Sequence, residues 1–265
     1  MSEERVVTTV EDRVAIVTLS RPEKRNGLDL PMFEALVAAG VALTQRNDVR
    51  AVVLHGAGKS FCAGLDWQAF MMAGPDAQTR MLTREGSPAN IAQRCCWVWQ
   101  EVPVPVIAAV HGAAMGGGLQ LALGADIRIV APDAQLSVME ARYGLVPDMG
   151  ATKTLLGLVR EDIARELTFT ARVVSGEEAA ALGLATRVAA DPLAAARALA
   201  KEIAGRSPHA VRTAKRLYQS ARGLSVKDAF ELETREQLTL LGTPNQMEAA
   251  MAAMQKREPS FSDPE

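Results

Sequence analysis

Two glycine-rich segments of this sequence each follow a stretch that is typical of a β-strand. They are residues 60–66 and residues 111–120, and the second contains the triple glycine Gly116, Gly117 and Gly118. Glycine permits unusual backbone torsion angles and lets a ligand approach free N–H groups. A helix that begins at Gly116 or Gly117 would also direct its positive end at that ligand. Two converging N–H groups can stabilise a developing oxyanion, so we predict an oxyanion hole, with tight strand-to-helix packing as the alternative.

The spacing of these glycines argues against several other kinds of site. Gly112 and the triple glycine do not supply the GxGxxG pattern of a dinucleotide-binding loop. The sequence contains neither GxxxxGK[ST] nor GxSxG, so we expect neither a phosphate-binding loop nor a serine hydrolase. It has three histidines, no HExxH motif and no cluster of histidine with cysteine, so no catalytic transition-metal site is expected.

Charge and cysteine content narrow the class of protein. The 265 residues carry 29 Lys and Arg against 31 Asp and Glu, which provides no overall attraction to nucleic acid or to an anionic membrane. The N-terminal residues are polar, and no apolar run reaches the roughly 18 residues of a membrane span. Cys62, Cys95 and Cys96 suit neither a disulfide framework nor CxxC metal spacing. We therefore expect a cytoplasmic protein whose cysteines pack in its core, with neither nucleic acid nor membrane as a partner.

Short apolar runs alternate with helical patterns over the first 190 residues. Runs rich in β-branched residues at 6–10 and 13–19 predict an N-terminal hairpin. Further strands are expected at residues 51–55, 106–110 and 127–130. Helices are expected at residues 31–45 after Asp29, at residues 89–101, and after Ser175, which forms a capping box pattern with Glu178. This alternation predicts an α/β fold with a largely buried sheet.

Beyond residue 190 the strand signals stop, and a polar residue followed by proline recurs. These pairs are Asp191 with Pro192, Ser207 with Pro208, and Thr243 with Pro244. Each pair is typical of a helix N-terminus. We therefore predict a core over residues 1–195 and a C-terminal helical region over residues 196–265, whose apolar faces would pack against the core or another subunit.

Three segments of the chain resemble the enoyl-CoA hydratase/isomerase, or crotonase, superfamily. They are residues 60–66, 111–126 and 134–148, and their order and spacing match that family. The resemblance extends from the N-terminal hairpin to Lys256 and Arg257, nearly the whole chain. It implies a spiral of repeated ββα units, followed by helices that build homotrimers, often paired into homohexamers. It also implies an acyl-CoA thioester substrate and no metal or redox cofactor, since coenzyme A is part of the substrate.

The resemblance assigns a role to each glycine-rich segment. Family members hold the thioester carbonyl with two backbone N–H groups, which correspond here to Leu65, just after Ala63 and Gly64, and to Gly117. A thioester makes its α protons more acidic, and an oxyanion hole stabilises the enolate that forms when one is removed. One such site can support hydration, isomerisation or decarboxylation, depending on the acid and base groups nearby.

The acid and base positions differ from those of the family's hydratases. Hydratases place two glutamates beside a water, and this sequence has Gln120 at the first position and Glu140 at the second. A neutral amide can orient a water but cannot accept its proton. Asp148 stands where dienoyl-CoA isomerases of the family carry a carboxylate, although those enzymes also have Asp in place of Gln120. The alternatives are a surface role for Glu140, a cap or turn role for Asp148, and a hydrogen bond from Gln120 only to backbone or substrate.

The phosphates of CoA should need nearby cations. The resemblance points to Arg21, Lys24 and Arg25 beside the first glycine-rich segment, with Ala63 in contact with CoA. It also points to the terminal helix of this or a neighbouring subunit, through Lys256 and Arg257. Candidates for the acyl pocket are Met71, Met72, Met81 and Trp97, with ordinary core packing as the alternative.

Three further polar residues are expected to be structural. Asp66 should cap a helix, and Asp126 should accept a backbone hydrogen bond at the start of a strand. His111 is expected to pack at the end of a strand.

The favoured hypothesis is an enzyme that shifts a double bond of an enoyl-CoA. In it, the N–H groups of Leu65 and Gly117 hold the enolate while Glu140, with Asp148, moves the proton. Two alternatives stay open. The first is a 2-enoyl-CoA hydratase with a water placed by Gln120, and the second is a non-catalytic acyl-CoA-binding relative.

Overall fold

The structure is a computed structural model that describes residues 4–84 and 87–264. Its strands are β1 (Val6–Glu11), β2 (Val14–Leu19), β3 (Ala51–Gly56), β4 (Val106–Val110), β5 (Ala113–Met115), β6 (Ile127–Val130), β7 (Gln135–Ser137), β8 (Val174–Ser175) and β9 (Arg187–Val188). Its α-helices are α1 (Leu30–Thr44), α2 (Trp67–Met72), α3 (Gly74–Leu82), α4 (Ile91–Glu101), α5 (Gly117–Leu123), α6 (Ala151–Thr154), α7 (Glu161–Thr170), α8 (Gly176–Leu182), α9 (Pro192–Ala204), α10 (Pro208–Ala221), α11 (Val226–Leu238) and α12 (Pro244–Gln255). Short 3-10 helices cover Pro22–Lys24, Glu140–Tyr143 and Leu155–Gly157.

The strands form two sheets, and the predicted α/β fold is confirmed. The larger sheet has the order β1-β2-β3-β4-β6-β9, and the smaller has the order β5-β7-β8. β1 and β2 pair as the predicted antiparallel hairpin, with Asp12 and Arg13 at positive φ in its turn. The pairs from β2 to β9 in the larger sheet are parallel. Helices cover this sheet, so β3 and β4 are buried on both faces, which explains their continuous apolar sequence.

Helix starts follow the polar residues that the sequence offers as caps. α4 begins two residues later than predicted, because Asn90 Oδ1 accepts a hydrogen bond from Gln93 N and Gln93 Oε1 accepts one from Asn90 N. Ser175 caps α8 by accepting from Glu178 N. The predicted capping box would also need the Glu178 carboxylate to accept a hydrogen bond from Ser175 N. This carboxylate instead pairs with Arg172, whose Nη1 lies 2.7 Å from Glu178 Oε1.

Three C-terminal helices, α9, α10 and α12, begin at the predicted prolines, whereas α11 begins at Val226, where no start was predicted. The boundary drawn after residue 195 falls inside α9, whose Ala196, Ala200 and Ala204 pack on one face of the larger sheet. The opposite face packs against a larger core that includes Phe33 and Trp99. α9 therefore contributes to the core of the fold. Among the helices in residues 4–84 and 87–264, none combines the length and apolar character needed to span a membrane.

Candidate active site

The two glycine-rich segments lie side by side because β3 and β4 are neighbouring parallel strands. Cys62 N donates to Ala113 O at 2.9 Å, and Met115 N donates to Cys62 O at 3.1 Å. Parallel strands end at the same edge of a sheet, so both segments leave the core at one place. The predicted convergence of the two segments is therefore present.

Glycine is required where these segments touch. Gly64 has a φ of +88°, and a Cβ there would lie 2.5 Å from Met115 O. A Cβ at Gly118 would lie 2.2 Å from Cys62 O. Real Cβ atoms do not approach a carbonyl oxygen that closely, so a side chain at either position would push the segments apart. The alternative explanation, tight packing, therefore applies to these glycines as well.

Two backbone amides are left unpaired where the segments meet. The bonds around Leu65 run from Leu28 N to Gly64 O and from Asp66 N to Leu28 O, and neither involves Leu65 N. Gly117 is the first residue of α5, where an amide has no partner within the helix. Within the part of the chain that the structure describes, neither amide donates a hydrogen bond. Both residues line one cavity. Their unpaired N–H groups make this cavity the candidate oxyanion hole.

This active-site cavity has a volume of about 340 Å³ and a mainly apolar wall. Trp67 and Tyr143 stand in its wall with ring centroids 5.4 Å apart. Met81 lines the cavity as predicted. The prediction for Met71 and Met72 is wrong, because Trp67 and Phe70 occupy the inner face of α2 and leave both methionines 70% or more exposed. Trp97, also predicted, is not among the lining residues.

Glu140 begins a 3-10 helix, lines the cavity and is only 9% exposed. Its Oε1 accepts a hydrogen bond of 2.6 Å from Gln120 Nε2. Its Oε2 is buried and has no hydrogen-bond partner among the described residues. Burial raises the pKa of the Glu140 carboxyl above its ordinary value, and the negative charge of Asp148 adds to the rise. A surface role for this carboxylate is therefore excluded.

Asp148 lines the same cavity but keeps part of its side chain exposed to solvent. The cavity wall removes water from its other side, and this desolvation raises the pKa of the Asp148 carboxyl. Asp148 does not cap α6, because the N-cap residue of that helix is Gly150 and no side chain caps it. The site thus contains two carboxyl groups whose proton affinity is higher than usual.

Gln120 lies behind the cavity and holds its neighbours in place. It is 1% exposed and does not line the cavity. Its Oε1 accepts hydrogen bonds from Met149 N at 2.8 Å and from Ala151 N at 3.3 Å, while Nε2 donates to Glu140. Two backbone donors fix which end of the amide is oxygen. The backbone contacts of Met149 and Ala151 had no signal in the sequence, because they join residues about 30 positions apart.

The cations beside the first glycine-rich segment divide into one buried and two exposed residues. The prediction for Arg21 is wrong, since this residue is 8% exposed and its Nη1 lies 2.8 Å from Asp66 Oδ2. Asp66 also caps α2 through Ala69 N, which confirms its structural role. Lys24 and Arg25 are exposed, and Arg25 O accepts a hydrogen bond from Ala63 N. These two cations therefore lie next to the first glycine-rich segment.

The remaining polar candidates lie away from the cavity. Lys256, the C-cap residue of α12, is exposed, and Arg257 Nη1 lies 2.5 Å from Glu248 Oε1. Neither residue lines the active-site cavity of its own chain. His111 packs with a ring nitrogen 2.9 Å from Gly58 O. Asp126 accepts from Val106 N at the start of β4, as predicted.

The cysteines do not take part in the site. All three thiols are free and buried, as expected of packing residues. Burial raises the pKa of the Cys62 thiol to about 12, so it stays protonated near neutral pH.

Comparisons with known proteins agree with this geometry. The family model described as enoyl-CoA hydratase/isomerase matches residues 9–264. The chain is 34% identical over 260 residues to the mitochondrial Delta(3,5)-Delta(2,4)-dienoyl-CoA isomerase of Mus musculus, covering 95% of this chain and 80% of that protein. It is 31% identical to a probable enoyl-CoA hydratase of Bacillus subtilis, covering 95% and 96%. The crystal structure of enoyl-CoA hydratase from Bacillus anthracis superposes with a TM-score of 0.90 at 29% identity, covering 97% and 98%. The chain is therefore an enzyme of the enoyl-CoA hydratase/isomerase family, with the crotonase fold.

Proposed function

We propose that this enzyme isomerises a 3,5-dienoyl-CoA to a 2,4-dienoyl-CoA. The reaction removes a proton from C2, shifts both double bonds toward the thioester, and adds a proton at C6. The observation that carries the proposal is the buried Glu140 Oε2, which has no partner among the described residues and belongs to a residue lining the same cavity as Leu65 and Gly117. The likeness to the mouse dienoyl-CoA isomerase supports this choice of reaction.

In the proposed mechanism, the two free amides bind the thioester oxygen. Loss of the C2 proton places negative charge on that oxygen, and the N–H groups of Leu65 and Gly117 stabilise it. Such donors act without reorganisation in a cavity that excludes water, and each is worth about 3–4 kcal/mol in related chemistry. The same donors bind the neutral carbonyl less strongly, so they favour the enolate over the substrate.

Glu140 and Asp148 then share the proton transfers. One carboxylate accepts the C2 proton, and the other carboxyl group, in its protonated form, supplies a proton at C6. The elevated pKa of both groups suits this division, because one can stay protonated nearer to neutral pH while the other ionises. After one turnover the base carries a proton and the acid has lost one. The starting state is restored when the first group releases its proton to solvent and the second takes one up.

Gln120 is proposed to position Glu140 rather than to place a water. Its oxygen already accepts two backbone hydrogen bonds and its nitrogen donates to Glu140 Oε1. A hydratase needs a second group at this place that can accept a proton from water, and a neutral amide cannot accept one. This contact supports isomerisation over hydration. It also directs Glu140 by fixing one of its two carboxylate oxygens.

The pH dependence of kcat/KM is expected to be bell-shaped. Below the pKa of the base, protonation abolishes proton removal, and above the pKa of the acid the second carboxyl group has no proton to give. Because the pKa of both carboxyl groups is raised by desolvation, the acidic limb should lie above the ordinary carboxyl pKa of about 4. The measurement is an initial-rate profile with buffers of constant ionic strength. A rate that stays constant down to an ordinary carboxyl pKa would contradict the proposed pair.

Exposed Lys24 and Arg25 are proposed to bind the phosphates of CoA. Replacing both with glutamine should raise KM about tenfold, since each charge-assisted hydrogen bond contributes about 1.5–3 kcal/mol before solvent screening, while kcat should change little. The control is an N-acetylcysteamine thioester of the same acyl chain, which lacks the phosphates. Equal losses with both thioesters would show that the two side chains do not recognise phosphate.

The C-terminal helices are proposed to assemble the chain into a homotrimer or a pair of trimers. Phe230, Leu238 and Met254 are each more than 60% exposed in the single chain, although all are large apolar side chains. A stable monomer seldom exposes such a group of side chains. In the assembly, Lys256 of a neighbouring subunit would contact CoA. Light scattering should give three or six times the mass of one chain. The double variant Phe230→Glu with Met254→Glu should have a lower mass. An unchanged mass in this variant would exclude these side chains from the subunit interface.

The experiment that tests the function compares two substrates. A 3,5-dienoyl-CoA should give the strong ultraviolet absorption of a conjugated 2,4-dienoyl thioester, and in deuterated water the product should carry deuterium at C6. Crotonyl-CoA should not give 3-hydroxybutyryl-CoA at a comparable rate. The second candidate is a 2-enoyl-CoA hydratase, which the Bacillus relatives favour. Rapid water addition without isomerisation would establish that candidate instead.

A further inference from the structure

A second cavity, separate from the active site, lies between α10 and the amino ends of the parallel strands. Its volume is about 420 Å³, and we name it the α10 cavity. Asp126 and Arg128 contribute to its wall at the start of β6, and Tyr218 contributes from α10. Asp126 N donates to Val106 O at the first residue of β4, so the cavity faces the strand ends opposite to the glycine-rich segments. No described residue lines both cavities.

Arg128 is a buried cation in this wall without a carboxylate partner. It is 4% exposed, its Nε donates to Leu184 O at 2.8 Å, and its Nη1 donates to Ala125 O at 2.7 Å. Over residues 4–84 and 87–264, no group accepts a hydrogen bond from Nη2 and no carboxylate forms an ion pair with the guanidinium. Burial lowers the pKa of Arg128 to about 10, against a smaller opposing effect of Asp126. Arg128 is thus charged near neutral pH and lacks a direct counter-ion.

Lys215, the other buried cation of the wall, is fully engaged. Its Nζ donates to Trp99 O and Val104 O at 3.0 Å each, and to Asp126 Oδ2 at 2.7 Å. An ammonium group has three N–H bonds, so these acceptors use all of them. Lys215 and Asp126 form a neutral pair that anchors α10 to the core. Of the two buried cations in the wall, Arg128 is therefore the one without a carboxylate partner.

The rest of the α10 cavity is apolar inside and cationic at its rim. Apolar lining comes from Leu123, Ile127, Leu158, Ile203 and Val211. At the rim, the Arg222 guanidinium lies beside Gly157, where an added Cβ would be 3.2 Å from Nη1. Arg206 also lies at the rim, and its Nη2 is 3.3 Å from Glu202 Oε1. The positive electrostatic potential of the rim would attract a small anion, and the apolar wall inside would contact its hydrocarbon part.

We propose that the α10 cavity binds a small monocarboxylate with an apolar body. Its carboxylate accepts a hydrogen bond from Arg128 Nη2 and supplies the missing counter-charge, and its hydrocarbon part fills the apolar wall. A monocarboxylate fits better than a phosphate, because Arg128 offers one free guanidinium nitrogen and one charge to neutralise. This site is independent of the proposed isomerisation.

The test is calorimetric titration of the full-length protein with hexanoate, hexan-1-ol and inorganic phosphate. Hexanoate should bind at the α10 cavity, with affinity at least about tenfold higher than that of hexan-1-ol, because only the carboxylate pairs with the guanidinium. Ala214→Trp should lower hexanoate affinity at least about tenfold, since Ala214 lines this cavity on the exposed side of α10. The control is Ser220→Trp on the same helix, which is exposed and does not line the cavity.

Arg128→Met should weaken hexanoate binding to the level of hexan-1-ol. Should this variant fail to fold because Leu184 O and Ala125 O lose their donor, the comparison of Ala214→Trp with Ser220→Trp decides the question. The proposal is overturned if Ala214→Trp keeps the affinity of the unmodified protein, if hexan-1-ol binds as tightly as hexanoate, or if phosphate binds more tightly than either.

Discussion

Glu140→Gln is expected to lower kcat for dienoyl-CoA isomerisation by about 10³-fold, because this is the typical contribution of a general acid or base. Glutamine keeps the shape of the side chain and can still accept the hydrogen bond from Gln120, but it cannot take up a proton. Binding of the CoA thioester should be nearly unchanged, because the variant leaves the proposed oxyanion amides and the proposed phosphate-binding side chains intact. The measurement is steady-state kinetics together with calorimetric titration of the product thioester.

A matched control for this variant is Glu177→Gln. Glu177 is exposed at the start of α8 and does not line the active-site cavity, so its neutralisation should leave kcat within about twofold. Thermal unfolding should show that Glu140→Gln is at least as stable as the unmodified protein, because it removes a desolvated carboxylate. A Glu140→Gln variant that retains most of its activity while folding normally would exclude Glu140 from the proton transfer.

Gly64→Ala is expected to lower kcat/KM by at least about 10²-fold, the typical effect of losing one oxyanion donor. The new Cβ would lie 2.5 Å from Met115 O, a backbone atom that cannot move without displacing Gly117. The clash separates the two glycine-rich segments, so the amides of Leu65 and Gly117 no longer reach the same oxygen. Kinetics with a dienoyl-CoA substrate measure the loss.

Gly223→Ala is the control that separates this effect from backbone strain. Gly223 has a φ of +82°, close to that of Gly64, but a Cβ there meets nothing within 4 Å. Both variants should lose about 1–2 kcal/mol of stability from the left-handed backbone conformation, and only Gly64→Ala should lose activity. Equal kinetic effects of the two variants would show that strain, rather than displacement of the oxyanion amides, accounts for the loss.

Much of the fold could be predicted because its signals are local. Strands β3 and β4 appear as short apolar runs, since both faces of a parallel sheet are buried. Asp29, Ser175 and Asp191 mark helix starts because each cap is a hydrogen bond to an amide three residues away. The family resemblance added the order of the active-site segments and pointed to Glu140 and Asp148 as a pair.

Contacts between distant residues were decided by the tertiary structure alone. Whether Gln120 faces a water or the backbone depends on where the segment around Met149 packs, about 30 residues away. Arg21 looks like a surface cation in sequence but is buried against Asp66, a pairing that needs two loops to meet. Hydrophobic periodicity cannot orient α2, so its aromatic residues, and not Met71 and Met72, line the cavity. Local residue types thus specify the helices and strands. Which side chains reach the active-site cavity is decided by the packing of these helices and strands, because their relative positions depend on the whole core at once.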